Sequence, residues 1–558
     1  MENREAVTQR IGRLHAAFAA DGFRVTKVYT YAGRVGMMAL HRTVKEYETG
    51  RGKASFYVEG TPYERGYLLG LLAERRIAEM AVQFTDNVIF DFLDADFLNK
   101  FPLLQKLLVE LLYQMSDETW ESLPTHVHEE VQGMLEGCRK SNPRTGVTMK
   151  RLVVINTAFD VLCAIAYSGD FFRERAPQIK PEAVRLAMMC NALSAFGEAA
   201  YGGHYFGRDF MFTTGGVFQN NLAHVIHVPA GEGTLYPYLS VTAPGMAGSI
   251  SAMNGNGVAV GVNMSPGANS TPAAVGLNSL LLARDSVLYG GSAKDAADVI
   301  TNAQRGVAWN YILSDGTTDT ACTVEAGASM KLDFLSYPAA SLKPFLPDEA
   351  FLLAHPDAPL VNGAMVRWCT RPYPKEYLAF NPGLWKQYKE TADPPVVLYP
   401  DALGPDGFIN RTMKEKNCPS SFYFAPQRTR GDGIQITGNH FLLPRMRFCA
   451  MDPWTAMVER SSINDLQWRY DALNHAVNET LERDGGIDYE AARRLIDFLA
   501  PYGDYPAYYA KNPQSPDGKA LRIRGCVTLF DLKKKTAESH YGYYPDGWVK
   551  TTLPSYLG

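Results

Sequence analysis

Cysteine is sparse in this chain and never closely paired: eight in 558 residues, at Cys138, Cys163, Cys190, Cys322, Cys369, Cys418, Cys449 and Cys526, with no CxxC spacing. That argues against a disulfide framework or a zinc ribbon and suits a reducing compartment. Long apolar runs are missing as well. The N-terminus, MENREAVTQRIGRLHAAFAADGF, mixes apolar residues at helical spacing with charges and has no h-region, so a cytoplasmic location is expected. The most apolar stretch, Leu152 to Tyr167, is too short to span a bilayer and carries Asp160, which predicts a buried helix and no membrane partner. Neither sign of charge dominates: 55 basic against 59 acidic residues give a formal charge of -4, without the broad positive field that attracts phosphate backbones. Nucleic acid is therefore not an expected partner. His126/His128 and His224/His227 have no HExxH motif or Cys-rich partner, so no metal and no other cofactor is expected. No internal repeat or low-complexity tract is present.

What is present is an ordinary globular composition, 46% hydrophobic and 20% charged, in a chain longer than one growing core supports. Residues 1 to about 189 read as mainly helical after an early β-rich patch, with apolar residues three and four apart in Phe101 to Met115 and His126 to Cys138. From Cys190 onward the pattern becomes short alternating or apolar runs, including His224 to Val228, Leu239 to Thr242 and Val258 to Met264, the texture of a sheet. Ser279 to Gln304 predicts two helices broken at Gly290-Gly291, the second capped by Ser292 with Asp295 three residues on. Asn310 to Glu325 predicts a hairpin turning at Asp315-Gly316. Residues from about 335 to 430, rich in proline and aromatics without periodicity, read as an irregular insertion covering one face of the core. A strand at Ile434 to Thr437, helices from about Ser462 to Leu481 and Tyr489 to Leu499, and a hairpin of Cys526 to Leu532 with Ala537 to Tyr544 complete the chain. This order predicts an α+β fold, with paired antiparallel sheets between helical layers.

The segment MMCNALSAFGEAAYGGHYFGRDFMF, residues 188 to 212, carries the most chemistry. A strand starting at Cys190 that hairpins at Gly202-Gly203 would return Arg208 beside the cysteine, where a cation stabilises a thiolate. The competing reading is a buried cysteine acting as a small hydrophobe.

This segment resembles the N-terminal-nucleophile cysteine hydrolases, the superfamily of bile salt hydrolase, penicillin V acylase, acid ceramidase and phospholipase B-like proteins, and in particular its acyl-coenzyme A:isopenicillin N acyltransferase-like branch. Tyr205-Phe206-Gly207-Arg208-Asp209-Phe210-Met211 is similar to the returning strand YFGRN-x-D, and Cys190 matches the nucleophile. Met253 to Ala259 resembles MNEKGLA, Gly261 to Gly267 resembles LNFPG, and Thr437 to Leu442 resembles HTNHCL. The resemblance implies oxyanion donors at Asn263 and Asn439, an arginine at Arg208, and a late helical arginine at Arg469 in WRYDAL. Upstream, Glu59 to Gly66 is similar to the GxPYExG of such precursors. Two positions depart from the pattern. Met211 stands where the superfamily places the aspartate that touches the nucleophile's amine, and the carboxylate is at Asp209; either Asp209 substitutes through a register change or another carboxylate serves. Met189, before the cysteine, is bulkier than the usual residue at such a scission point.

The resemblance implies an αββα catalytic domain over 190–558 preceded by a mainly helical propiece or alpha chain over 1–189. Cleavage after Met189 would expose Cys190 as nucleophile of an amidohydrolase or acyltransferase acting through an acyl-enzyme on a small N-acyl amide or acyl-thioester. The two fragments are expected to stay associated, and assembly into a homo-oligomer is left open. The alternatives are a phospholipase-B-like esterase and an unprocessed, non-catalytic binding protein of the same fold.

Overall fold

The computed structural model describes residues 4–46, 49–92, 102–167, 189–211, 217–265, 277–327, 361–369, 432–439, 441–443, 462–498, 526–541 and 547–557. In chain order it runs α1 (Arg4–Ala20), β1 (Phe23–Tyr31), β2 (Arg34–Lys45), β3 (Gly52–Gly60), α2 (Pro62–Glu79), α3 (Thr85–Phe92), α4 (Pro102–Glu121), α5 (Thr125–Ser141) and α6 (Met149–Tyr167). There follow β4 (Met189–Phe196), β5 (His204–Met211), β6 (Ala223–Pro229), β7 (Tyr238–Thr242), β8 (Ser251–Asn254), β9 (Val258–Met264), α7 (Ser279–Tyr289), α8 (Ala293–Asn302), β10 (Trp309–Asp315), β11 (Thr320–Ala326) and β12 (Ala364–Trp368). The last elements are β13 (Ile434–Thr437), α9 (Ser462–Asp484), α10 (Tyr489–Phe498), β14 (Cys526–Asp531), β15 (Thr536–Tyr541) and β16 (Val549–Thr552).

Among the described residues the strands form two sheets, one of ten in the order β1-β2-β3-β6-β7-β8-β9-β10-β11-β12 and one of six in the order β13-β4-β5-β14-β15-β16. The sheets face each other where β4 and β5 oppose β9 and where β13 opposes β11. Helices α2, α7 and α8 pack on the ten-stranded sheet, and α9 and α10 on the six-stranded one. The fold is α+β, with two sheets between helical layers. One neighbouring pair departs from the antiparallel expectation: β3 and β6 run parallel, from Ser55↔His224 to Gly60↔Pro229. Parallel neighbours need a long crossover, and here it passes through α2 to α6 and the β4–β5 hairpin. One large core cluster runs from Leu14 to Leu553, and the segments before and after Cys190 share the ten-stranded sheet and that interior.

Local chemistry explains how α2 starts and where it packs. Thr61 Oγ1 accepts from the Glu64 N–H while the Glu64 carboxylate accepts from the Thr61 N–H, a reciprocal capping box, with Pro62 supplying a preset φ at the first turn. Gly66 and Gly70 then meet Gly133 and Gly137 of α5 backbone to backbone: a Cβ on Gly66 would lie 1.9 Å from the Glu130 carbonyl oxygen, and one on Gly133 would lie 2.2 Å from that of Tyr63. The GxPYExG-like motif is thus accounted for by a cap, a helix start and a close helix crossing.

The Asp315-Gly316 hairpin forms, but its turn differs from the two-residue kind expected. Asp315 Oδ1 accepts from the Thr317 and Thr318 N–H groups, and the positive φ falls on Asp319 at 47°. The aspartate side chain mimics a backbone turn and lengthens the loop. Within the segment read as an irregular insertion, residues 361–369 include β12, which extends the sheet beside β11; the remainder of 335–430 lies outside the described residues. Among the described residues no helix is long and apolar enough to cross a membrane.

Candidate active site

Strands β4 and β5 form the hairpin anticipated around Cys190, with Tyr201 at φ 52° and Gly202 at φ 80° turning the chain. Cys190 pairs with Phe210 and Ala192 with Arg208. Even-numbered residues of both strands therefore share one face, which looks toward the ten-stranded sheet: Ser194 is hydrogen-bonded to Ser314 of β10 at 2.5 Å. Cys190 is fully buried on that face.

Arg208 is buried alongside it. Its Nε donates to Asn263 Oδ1 at 3.2 Å and its Nη1 to the Ile250 carbonyl at 3.1 Å and Ser251 Oγ at 3.3 Å, while the guanidinium carbon lies 4.7 Å from the Phe210 ring centroid. Burial pulls its pKa below the ordinary arginine value; the neighbouring Cys190, Cys526 and Asp209 oppose that shift, and a hydrogen bond joins its side chain to that of Cys190. A cation is thus fixed against the candidate nucleophile. Two other thiols border the site. Burial pushes Cys526 up to about 12 and Cys163 well above the usual thiol value, so both are neutral bystanders near neutral pH.

Asn439 follows β13. Its Oδ1 accepts the Cys190 N–H at 2.7 Å and its Nδ2 donates to the Met264 carbonyl at 2.8 Å. The side-chain amide therefore touches the atom that cleavage would turn into the nucleophile's amine. Asn263 sits differently from an oxyanion donor. Its Oδ1 receives Arg208, and its Nδ2 donates to the Thr437 and Gly438 carbonyls at 3.2 Å each. Ser265 donates to Ala308 and Gly316 to Gly257, which makes odd residues of β9 the hydrogen-bonded partners of β10 and aims the Asn263 N–H at Asn310.

Asp209 points to the opposite face from Arg208. Its carboxylate accepts from the backbone N–H of Asn191 and, at 2.9 Å, from Asn191 Nδ2. It thus adjoins Cys190 from behind, through the next residue. Arg469 lies on α9, and its side chain is outside the described residues, as are those of Met189 and Met211. The structure brings Cys190, Arg208, Asn263 and Asn439 into one hydrogen-bonded constellation. Sequence reasoning missed Asn191, the cross-strand partner of Asp209, and Asn310, whose Nδ2 donates to the Gly438 carbonyl at 3.2 Å. The one signal each offered was an amide side chain between apolar neighbours, Cys190 and Ala192 for Asn191 and Trp309 and Tyr311 for Asn310. Among the described residues no His, Cys, Asp and Glu cluster could hold a metal ion.

No protein-family model matches the chain. An uncharacterized protein from Archaeoglobus fulgidus is 26% identical over 542 residues, covering 96% of this chain and 70% of that protein. Among solved structures, a variant of conjugated bile acid hydrolase from Clostridium perfringens is similar with a TM-score of 0.32 and 11% identity, covering 65% of this chain and 92% of its own. An N-acylethanolamine-hydrolyzing acid amidase ortholog from Caenorhabditis elegans gives a TM-score of 0.29 and 10% identity, covering 62% of this chain and 93% of its own.

Proposed function

We propose that this protein is an N-terminal-nucleophile amidohydrolase or acyltransferase, matured by cleavage of the Met189–Cys190 bond. The observation that carries the reading is the 2.7 Å bond from the Cys190 N–H to Asn439 Oδ1, made while the same cysteine's side chain bonds the buried Arg208. In the precursor, Cys190 Sγ adds to the Met189 carbonyl carbon, the C–N bond breaks to leave a thioester and a free amine, and water hydrolyses the thioester to regenerate the thiol. The α-amine, with an unperturbed pKa of about 7.7 to 8.0, then serves as the base for its own thiol. Asn439 holds that amine and offers its Nδ2 to the developing oxyanion. Asn263 fixes Arg208 and the Thr437–Gly438 backbone, and Asp209 holds the β4 backbone through Asn191.

In turnover, the thiolate attacks an acyl carbonyl, the amine leaves, and water or a second amine accepts the acyl group. The six described cysteines are all free thiols, which supports a reducing, cytoplasmic setting. A denaturing gel tests maturation: the active protein should run as fragments of roughly 20 kDa and roughly 40 kDa, and Cys190→Ala should run intact. Active protein whose N-terminal sequence is only that of the uncleaved chain would refute the mechanism. It would leave a cysteine acting without its own amine. Supplying N-acyl amides and phospholipids in parallel separates the amidase from a phospholipase-B-like esterase.

A further inference from the structure

The Asn439 segment has a weak frame of its own. Strand β13 is four residues long and pairs with β4 along one edge, its last partner being Thr437↔Ala192. Beyond Thr437 no described strand continues it, yet Asn439 must sit within hydrogen-bond reach of Cys190. The support comes from the facing sheet. Asn263, Asn310 and Glu325 lie in one row across β9, β10 and β11, and Thr323 and Arg367 pair in another row across β11 and β12. All five side chains are buried and polar.

We infer that Glu325 and Arg367 form a positioning pair that sets Asn439 against Cys190, an inference that rests on the nucleophile reading above. The two grip the chain on both sides of Asn439. Arg367 Nη2 donates to the Ile436 carbonyl at 3.3 Å and to Thr437 Oγ1 at 3.4 Å, before it. Glu325 accepts from the Leu442 N–H at Oε1 and the Leu443 N–H at Oε2, both 3.0 Å, after it. Arg367 Nε closes the grip on Glu325 Oε1 at 3.2 Å, and both side chains are at most 1% exposed. Thr323 Oγ1 adds a 2.6 Å bond to Thr437 Oγ1. A buried ion pair is a poor source of net stability, because desolvating two charges offsets their attraction. What this pair supplies is geometry: a carboxylate accepts from two successive N–H groups and a guanidinium at once, where a neutral amide cannot. Misplacing a reacting group by about 1 Å costs on the order of 100-fold in rate.

The test uses full-length protein and reads first-order cleavage at Met189–Cys190 after cell-free synthesis, with fragments weighed by mass spectrometry and the rate normalised to folded protein. Glu325→Gln presents an NH2 group to one of the two loop N–H donors and should slow cleavage by about tenfold or more. Arg367→Lys keeps a charge beside Glu325 but loses the reach to Ile436, so a smaller loss is expected. It also carries the test if Glu325→Gln does not fold. Folded variants that melt early yet cleave at the wild-type rate would overturn the positioning role and leave a loop anchor. Wild-type protein that never cleaves would instead sink the nucleophile reading, and this inference with it.

Discussion

The side-chain amides of Asn439 and Asn263 are each bonded at both ends, so their loss is felt in stability as well as rate. Asn439→Ala removes the acceptor for the Cys190 N–H and the donor to Met264. In its proposed role as oxyanion donor Asn439 acts on the transition state, so turnover per folded molecule should fall by about 100-fold or more with KM within a few fold. Melting should also drop, because two buried hydrogen bonds are lost. Full specific activity in Asn439→Ala would reduce it to a loop residue. Arg208→Lys separates charge from shape: lysine cannot reach Asn263, Ile250 and Ser251 in the forked pattern seen here. A loss of at least tenfold in kcat/KM is expected in protein that remains folded; unchanged kinetics would make Arg208 structural. The composition of this cluster was legible in the sequence, since Cys190, Arg208, Asn263 and Asn439 stand in motifs. Which atoms face which was not. Whether Asn263 offers an N–H depends on ladder parity, and the partner of Asp209 depends on strand register, neither of which a motif encodes.

Elements were readable wherever periodicity and punctuation agreed, and unreadable where a strand's partner lies far away in sequence. The Ser292 cap, the α7 and α8 pair and the β14–β15 hairpin with Lys535 at φ 56° all carry local signals. Strand β12 carries none: AMVRW is recognisable only because β11 offers it an edge. The α2–α5 crossing shows why small residues recur four apart on both helices. Gly133→Ala would press a methyl into the Tyr63 carbonyl, backbone against backbone, where no rotamer change relieves it. Overpacking of this kind costs about 1–3 kcal/mol, and the variant should melt several degrees early while keeping its specific activity. An unshifted melting curve would mean that the helices can part without loss. Asp160 ties elements together in a similar way. It accepts from the Ser279 N–H at 2.8 Å and Ser279 Oγ at 3.0 Å, anchoring the first turn of α7 to α6.

At the scale of the whole molecule, stability depends on the seam between the two sheets, and His224 sits in it. The ring comes from β6 of the larger sheet. Its Nδ1 meets Thr551 Oγ1 and its Nε2 meets Ser539 Oγ of the smaller sheet, both at 2.8 Å. Burial alone pushes its pKa down to about 3, against about 6.5 in an unfolded chain. The sign follows directly. Between those values the unfolded chain binds a proton that the folded one refuses, so this residue's contribution is fully present above about pH 6.5 and is lost as pH falls toward 3. The slope is about 1.4 kcal/mol per pH unit for one proton. Asp160, pushed up to about 7 mainly by burial, works in the opposite direction over about pH 4 to 7 by holding a proton in the folded state. The wild-type profile is therefore a difference of slopes, and a variant isolates one of them. His224→Gln keeps a donor and an acceptor but cannot charge, so between pH 7 and pH 5 it should lose roughly 2 kcal/mol less than wild type in urea unfolding. Parallel pH profiles for the two proteins would mean that His224 meets its proton without opening the seam.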